Sequence, residues 1–235
     1  MREFLFEYYT LLTKSFEILA LVVGIIVYKK YKHTRIAYFI WFLGWIVFVE
    51  TIGNYPTYLK NFGLFHFIEG TLIERNYWWF TLFWTSASTI FYSWLLSKQY
   101  VSVSLRRIIK YGSYLYILVL LLTVILDHKS LFHSVISHLR VLNVSLIILS
   151  SIFYFFDLLI SDKLLNASSS IYFYIACIIL IWWLVTLPLA FFEPYFNQAD
   201  WGFITIKWTV MLTANILMYS AFAFALVWCE PEPEK

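Results

Sequence analysis

Five side chains able to carry charge or donate hydrogen bonds stand inside runs of apolar residues: Lys14, Glu17, Glu50, Lys207 and Asn215. An ionisable group at the centre of a hydrocarbon layer costs about 2.5–3.5 kcal/mol by insertion scales, so each one calls for a reason. Lys14 and Glu17 are three residues apart, which puts both on one face of a helix. Glu17 falls near the middle of its run, and Lys14 lies one turn further out. Glu50 sits at a depth similar to Lys14, Lys207 nearer the outer end of the last run, and Asn215 near its middle. If the helices follow one another round a ring, the first, second and seventh are neighbours, and the five side chains could form one network. Such a network suits a clamp of buried ion pairs, a polar ligand pocket open to the outside, or a proton path through Glu17. Arg140, Asn143 and Glu193 are secondary candidates at the outer rim.

Other residue patterns point away from catalysis. His66-Phe-Ile-Glu69 lacks the second histidine of a zinc-protease helix. His133 and His138 are five apart, not the four that would align two metal ligands on one face. No Gly-x-Ser-x-Gly, cysteine pair or acidic pair is present, so no catalytic residue, metal site or cofactor is expected. Cys177 and Cys229 both fall toward the cytoplasmic side, where a disulfide does not persist. A lysine in a last helix raises the question of retinal. Lys207 lies near the mouth of its run, however, and Phe203 stands four residues earlier where a carboxylate would be wanted, which argues against it. Thr85, Ser86, Ser88 and Thr89 beside Trp84 read as small residues for close helix packing. Trp182 and Trp183 read as packing rather than as a cage for a cation. These residues show no nucleotide-binding loop, and without a soluble domain among them the chain is not expected to act as a receptor kinase or cyclase.

The elements that hold these residues follow from composition. Hydrophobic residues make up 62% of the chain and charged residues 13%, where a soluble domain carries about a quarter charged. A helix needs about 20 apolar residues to cross the hydrocarbon core, and seven such runs occur, at 8–28, 35–55, 77–97, 110–126, 139–160, 170–192 and 203–228. They are continuously apolar rather than alternating, which excludes a membrane barrel. The expected fold is an all-α integral membrane protein, a bundle of seven transmembrane helices forming one domain over residues 1–235. Ten of the seventeen Lys and Arg residues fall on one side, in the loops after the first and third runs together with Lys163 and Lys235. Glu3, Glu7, Glu69, Glu74, Asp127, Glu193 and Asp200 fall on the other. The basic side is cytoplasmic, so the N-terminus is expected outside and the C-terminus inside.

Smaller features refine this reading. The first run has no basic stretch before it and no small-residue cleavage site after it, so it is expected to remain in the mature chain. Residues 62–73 suggest a short interfacial helix, and 130–140 an amphipathic entry to the fifth span. Pro188 is expected to kink the sixth span and free a carbonyl near Thr186 or Leu184. The sequons at Asn143 and Asn166 fall in a span and on the cytoplasmic side, away from glycan addition. The net charge of +3 suits an anionic inner leaflet rather than nucleic acid.

Three phrases stand out together: Phe48-Val-Glu50-Thr-Ile-Gly53-Asn-Tyr55, Ile181-Trp-Trp183 followed by Leu187-Pro188, and Ala214-Asn215-Ile-Leu-Met-Tyr219 ahead of Trp228-Cys229. They resemble a family of small seven-helix inner-membrane proteins from Bacteroidota-type bacteria. The resemblance implies a multi-pass protein of a bacterial inner membrane and carries over no activity and no functional residue. The functional expectation is a non-enzymatic sensor or accessory (scaffold) subunit, surrounded by lipid and working with a protein partner in the membrane or cytoplasm. The alternative is a small transporter or channel, proton-coupled through Glu17.

Overall fold

A computed structural model describes residues 2–192 and 201–232. The helices in chain order are α1 (Arg2–Ile26), α2 (Tyr28–Tyr31), α3 (Ile36–Gly53), α4 (Tyr55–Asn61), α5 (Tyr77–Trp79), α6 (Ala87–Ser97), α7 (Val103–Leu126), α8 (His128–His133), α9 (Ser137–Leu159), α10 (Ile171–Phe192) and α11 (Trp201–Trp228). A π-helical stretch, Phe80–Ser86, joins α5 to α6, and short 3-10 turns occupy Phe65–Phe67, Leu72–Glu74 and Asp162–Ser169. Among the described residues the only strand-like pairing is one isolated bridge, Ser170 to Glu230.

Six of these helices are long and apolar enough to cross a membrane: α1 from Glu7, α3, α7, α9, α10 as far as Leu189, and α11. The chain is a multi-pass helical membrane protein. Large apolar side chains on these helices, such as Ile26, Ile125 and Leu126, are exposed, as lipid contact requires. The run at 77–97 is helical, but the π stretch divides it, and its longest α-helical piece is 11 residues. Residues 62–73 form two 3-10 turns, while the helix in that loop is α4, opened by Pro56 in its first turn. Proline fits there because a first-turn N–H has no helical acceptor in any case. The amphipathic entry at 130–140 is split into α8 and the first turn of α9.

Contacts group the chain into two units, Met1–Gly44 with Leu158–Lys235, and Trp45–Asp157. In the first unit α1 packs along α11, and α11 along α10. A Cβ on Gly24 would stand 3.1 Å from Ile40 Cγ2, a measure of how closely α1 meets α3. The end of α11 leaves carbonyls without helical donors, and the α2 region supplies them. The Tyr31 hydroxyl lies 2.6 Å from the Cys229 carbonyl and 3.1 Å from that of Leu226, and Lys30 Nζ donates to the Val227 carbonyl at 3.0 Å. A cation there also complements the negative end of the helix dipole. Burial pushes the Cys229 thiol up to about 11, with Lys30 pulling the other way.

In the second unit, α3 meets the start of the third run without room for a side chain. A Cβ on Gly53 would lie 2.7 Å from Phe80 Cζ and 2.9 Å from Trp79 Cδ1. Three polar contacts fix that meeting: Asn76 Nδ2 to the Gly53 carbonyl (2.7 Å), Trp79 Nε1 to that of Val49 (2.9 Å) and Trp45 Nε1 to that of Phe83 (2.8 Å). The two residues that lead into α7 are held by a carboxylate from the end of α9. Asp157, 3% exposed, accepts the Val101 N–H at 2.6 Å and the Ser102 N–H at 2.8 Å. Beside it the Tyr100 hydroxyl donates to the Ser150 carbonyl at 2.6 Å, and Arg106 donates to the carbonyl of Tyr100.

Candidate functional site

Of the five principal candidates, Lys14, Glu17, Lys207 and Asn215 belong to the first unit and Glu50 to the second. Glu17 is buried in α1, 4% exposed. Lys14 and Lys207 are half-buried, on α1 and α11, and Glu50 is half-buried near the end of α3. The Glu50 backbone carbonyl accepts from Asn54 Nδ2 at 2.7 Å, which closes the last turn of that helix. Asn215 is brought to α10, where its Oδ1 accepts the indole N–H of Trp182 at 2.9 Å. Of the secondary candidates, Arg140 is half-buried, Asn143 is fully buried in α9, and Glu193 lies outside the described residues.

Trp182, which makes that bond, also lines a cavity of about 460 Å³ between the middles of α10 and α11. That volume falls in the range of about 300–1,000 Å³ typical of small-molecule sites. Its surface is almost wholly apolar, with Val185 and Trp182 on one side and Leu217 with two threonines, Thr209 and Thr213, on the other. Ile181 and Leu217 border it and are 61% and 64% exposed, so the mouth opens on the apolar surface of two membrane-length helices. Thr209 donates its hydroxyl to the Thr205 carbonyl at 2.8 Å, which leaves the oxygen able to accept. Thr186 does likewise one turn above Trp182, donating to the Trp182 carbonyl at 2.8 Å ahead of Pro188.

A second polar grouping lies in the other unit, along the π stretch. Ser86 Oγ and Tyr116 Oη are 2.9 Å apart, and Ser86 also donates to the Thr81 carbonyl at 2.7 Å. Thr89 donates to the Thr85 carbonyl at 2.7 Å. Asn143 Nδ2 donates to Thr89 Oγ1 and, at 3.3 Å, to the Thr85 carbonyl. One turn-pair further on, Ser150 Oγ donates to Ser93 Oγ at 3.2 Å. The small hydroxyl residues of the third run therefore carry a row of hydrogen bonds to α7 and α9. Asn143 Oδ1 is the exception: it is buried with no hydrogen-bond partner among the described residues. An amide acceptor left so costs about 1–3 kcal/mol.

The apolar cavity and Asp157 had no mark in the sequence. A cavity depends on which faces of two helices meet, and a lone carboxylate at a helix end resembles any loop charge. No known protein family, no curated protein and no solved structure matches this chain.

Proposed function

We propose that this chain is a non-enzymatic seven-span bundle of a bacterial inner membrane, a sensor or accessory subunit that takes a lipophilic ligand from the bilayer between α10 and α11. In this reading residues 77–97 make the third crossing, with the π stretch inside it. The N-terminus lies outside, and the basic loops around Lys29–Arg35 and Lys98–Lys110 face the cytoplasm, where a partner would read the ligand's presence.

The observation that carries the proposal is the cavity itself. Its apolar walls would strip an ion of water without replacing its hydration, which favours a hydrocarbon occupant over a charged one. Its mouth is bordered by Ile181 and Leu217, so entry is sideways from lipid rather than from water. Thr209 and Thr213 offer the few polar atoms of the lining, enough to orient one hydroxyl or carbonyl on a long chain. A fatty acid or prenol bearing a photoreactive diazirine tests this in bacterial membranes expressing the protein. The label should map to α10 and α11, and Leu217→Trp, which fills the mouth, should remove it. Labelling no greater than on α7, which is mostly exposed along its length, would sink the idea. Single-cysteine labelling of the loops from either side tests the seven crossings, and reagent reaching 98–110 from outside would reverse the topology.

One observation favours a second reading, the transporter: Glu17 is a buried carboxyl in the middle of α1. That reading expects solute flux in proteoliposomes which Glu17→Gln abolishes, and flux indifferent to the substitution would count against it.

A further inference from the structure

The seam at the π stretch has one feature that close packing does not account for. Asn143 is 0% exposed, its Nδ2 donates to Thr89 Oγ1 and the Thr85 carbonyl, and its Oδ1 has no partner among the described residues. Turning the amide over would set Oδ1 against the Thr85 carbonyl, an acceptor facing an acceptor, so the orientation is fixed by its neighbours. Thr89 already gives its only proton to Thr85. In a helix that crosses hydrocarbon, bulk water does not reach such a group, and backbone or side-chain acceptors must be satisfied locally.

We propose that Asn143 Oδ1 anchors a site for one small hydrogen-bond donor the size of water, set in the seam formed by Thr89, Ser86 and Tyr116. A buried guest of this kind makes about two to four hydrogen bonds. The seam holds further acceptors: the Ser86 and Tyr116 oxygens meet at 2.9 Å, and Thr89 stands beside Tyr116. The π geometry helps to assemble them. Ser86 donates five residues back, to the Thr81 carbonyl, and π turns recur where a helix must re-aim side chains at a functional site. The seam's side chains are all neutral and its spare atoms are acceptors, so the guest gives protons and needs to accept none. Water and the ammonium ion share that chemistry. The site lies in the second unit and is independent of the cavity between α10 and α11.

The test uses the full chain in lipid nanodiscs, imaged at a resolution that shows ordered water, in sodium chloride and again in ammonium chloride. A density peak within about 3.2 Å of Asn143 Oδ1 is expected. A thermal midpoint that rises in ammonium chloride but not in sodium chloride assigns the guest as ammonium, and one that is equal in both assigns it as water. Asn143→Leu should lower the midpoint by about 2–4 °C or more, since it removes the anchor while Thr85 and Thr89 still satisfy each other. No peak at Oδ1 in the wild-type map overturns the proposal however the variant behaves. So does an Asn143→Leu chain more stable than wild type, the outcome for an acceptor that holds nothing.

Discussion

Removing the Asp157 carboxylate should loosen the start of α7. Asp157 accepts two backbone N–H groups, from Val101 at 2.6 Å and Ser102 at 2.8 Å, and is 3% exposed. Hydrogen bonds to a charged acceptor contribute about 1.5–3 kcal/mol each. Val101 is exposed, however, so once freed its N–H can find water or a lipid headgroup, and Tyr100 remains tied to Ser150. The expected loss for Asp157→Ala is therefore about 2–4 kcal/mol, near the sum of two good caps. For a chain of this size that lowers the thermal midpoint by about 4–16 °C. Asp157→Asn keeps one acceptor oxygen but turns an amide N–H toward the second donor, and should lose about half as much. Tryptophan fluorescence of the detergent-solubilised protein follows unfolding, and limited trypsin reports the local effect. Lys98, Arg106 and Arg107 are exposed on either side of the tethered segment, so cleavage there should quicken about tenfold or more as the first turn frays. A midpoint shift under about 2 °C with unchanged cleavage would refute the reasoning.

Three further outcomes follow from the geometry. Gly53→Ala places a methyl 2.7 Å from Phe80 Cζ and 2.9 Å from Trp79 Cδ1, and the rings must shift at a cost of about 1–3 kcal/mol. A wild-type midpoint in this variant would show that the α3 contact is looser than drawn. Trp182→Phe and Asn215→Leu each break the 2.9 Å bond between α10 and α11, and a double-mutant cycle should return a coupling of about 0.5–1.5 kcal/mol; zero coupling means the pair is not bonded. In a Cys177→Ser background, Cys229 should resist alkylation at pH 8, because a thiol shifted from 9.0 to about 11 holds about 100-fold less thiolate there. The raised value also means that Cys229 favours the folded state fully below about pH 9 and gives that up as pH climbs through 11. Alkylation as fast as that of a free thiol at pH 8 would count against its burial.

The long apolar helices were the legible part of the fold, six of the seven expected runs being helices of membrane-crossing length, because a continuous apolar run has few alternatives in lipid. Their ends were less so. The run at 110–126 begins as a helix at Val103, since Ser102 caps it, accepting the Leu105 N–H at 3.4 Å, and Arg106, Arg107 and Lys110 extend the helix past the hydrocarbon on long stems. Apolarity marks where lipid stops, while caps mark where a helix stops. The π stretch was invisible for a related reason: Phe80–Ser86 carries no glycine or proline to announce it, and the contacts that accompany it come from Val49 and Gly53, distant in sequence.

Among the candidate residues, type was legible and partners were not. Lys14, Glu17, Glu50, Lys207 and Asn215 stood out because charge and amides are rare in apolar runs, but rarity names a residue and not its partner. Asn215 meets Trp182, an indole that composition marks only as bulk. Asn143, a secondary candidate, meets Thr85 and Thr89, hydroxyl residues whose type suits packing equally well. In both places hydroxyl, amide and indole groups bind one another and the backbone, which they must do wherever lipid excludes water. An unsatisfied atom therefore says more than a satisfied charge. A buried carboxylate such as Glu17 can be explained by structure alone, whereas Asn143 Oδ1 gains nothing structural from its position. It marks where a ligand-sized question about this bundle can be asked of a single atom.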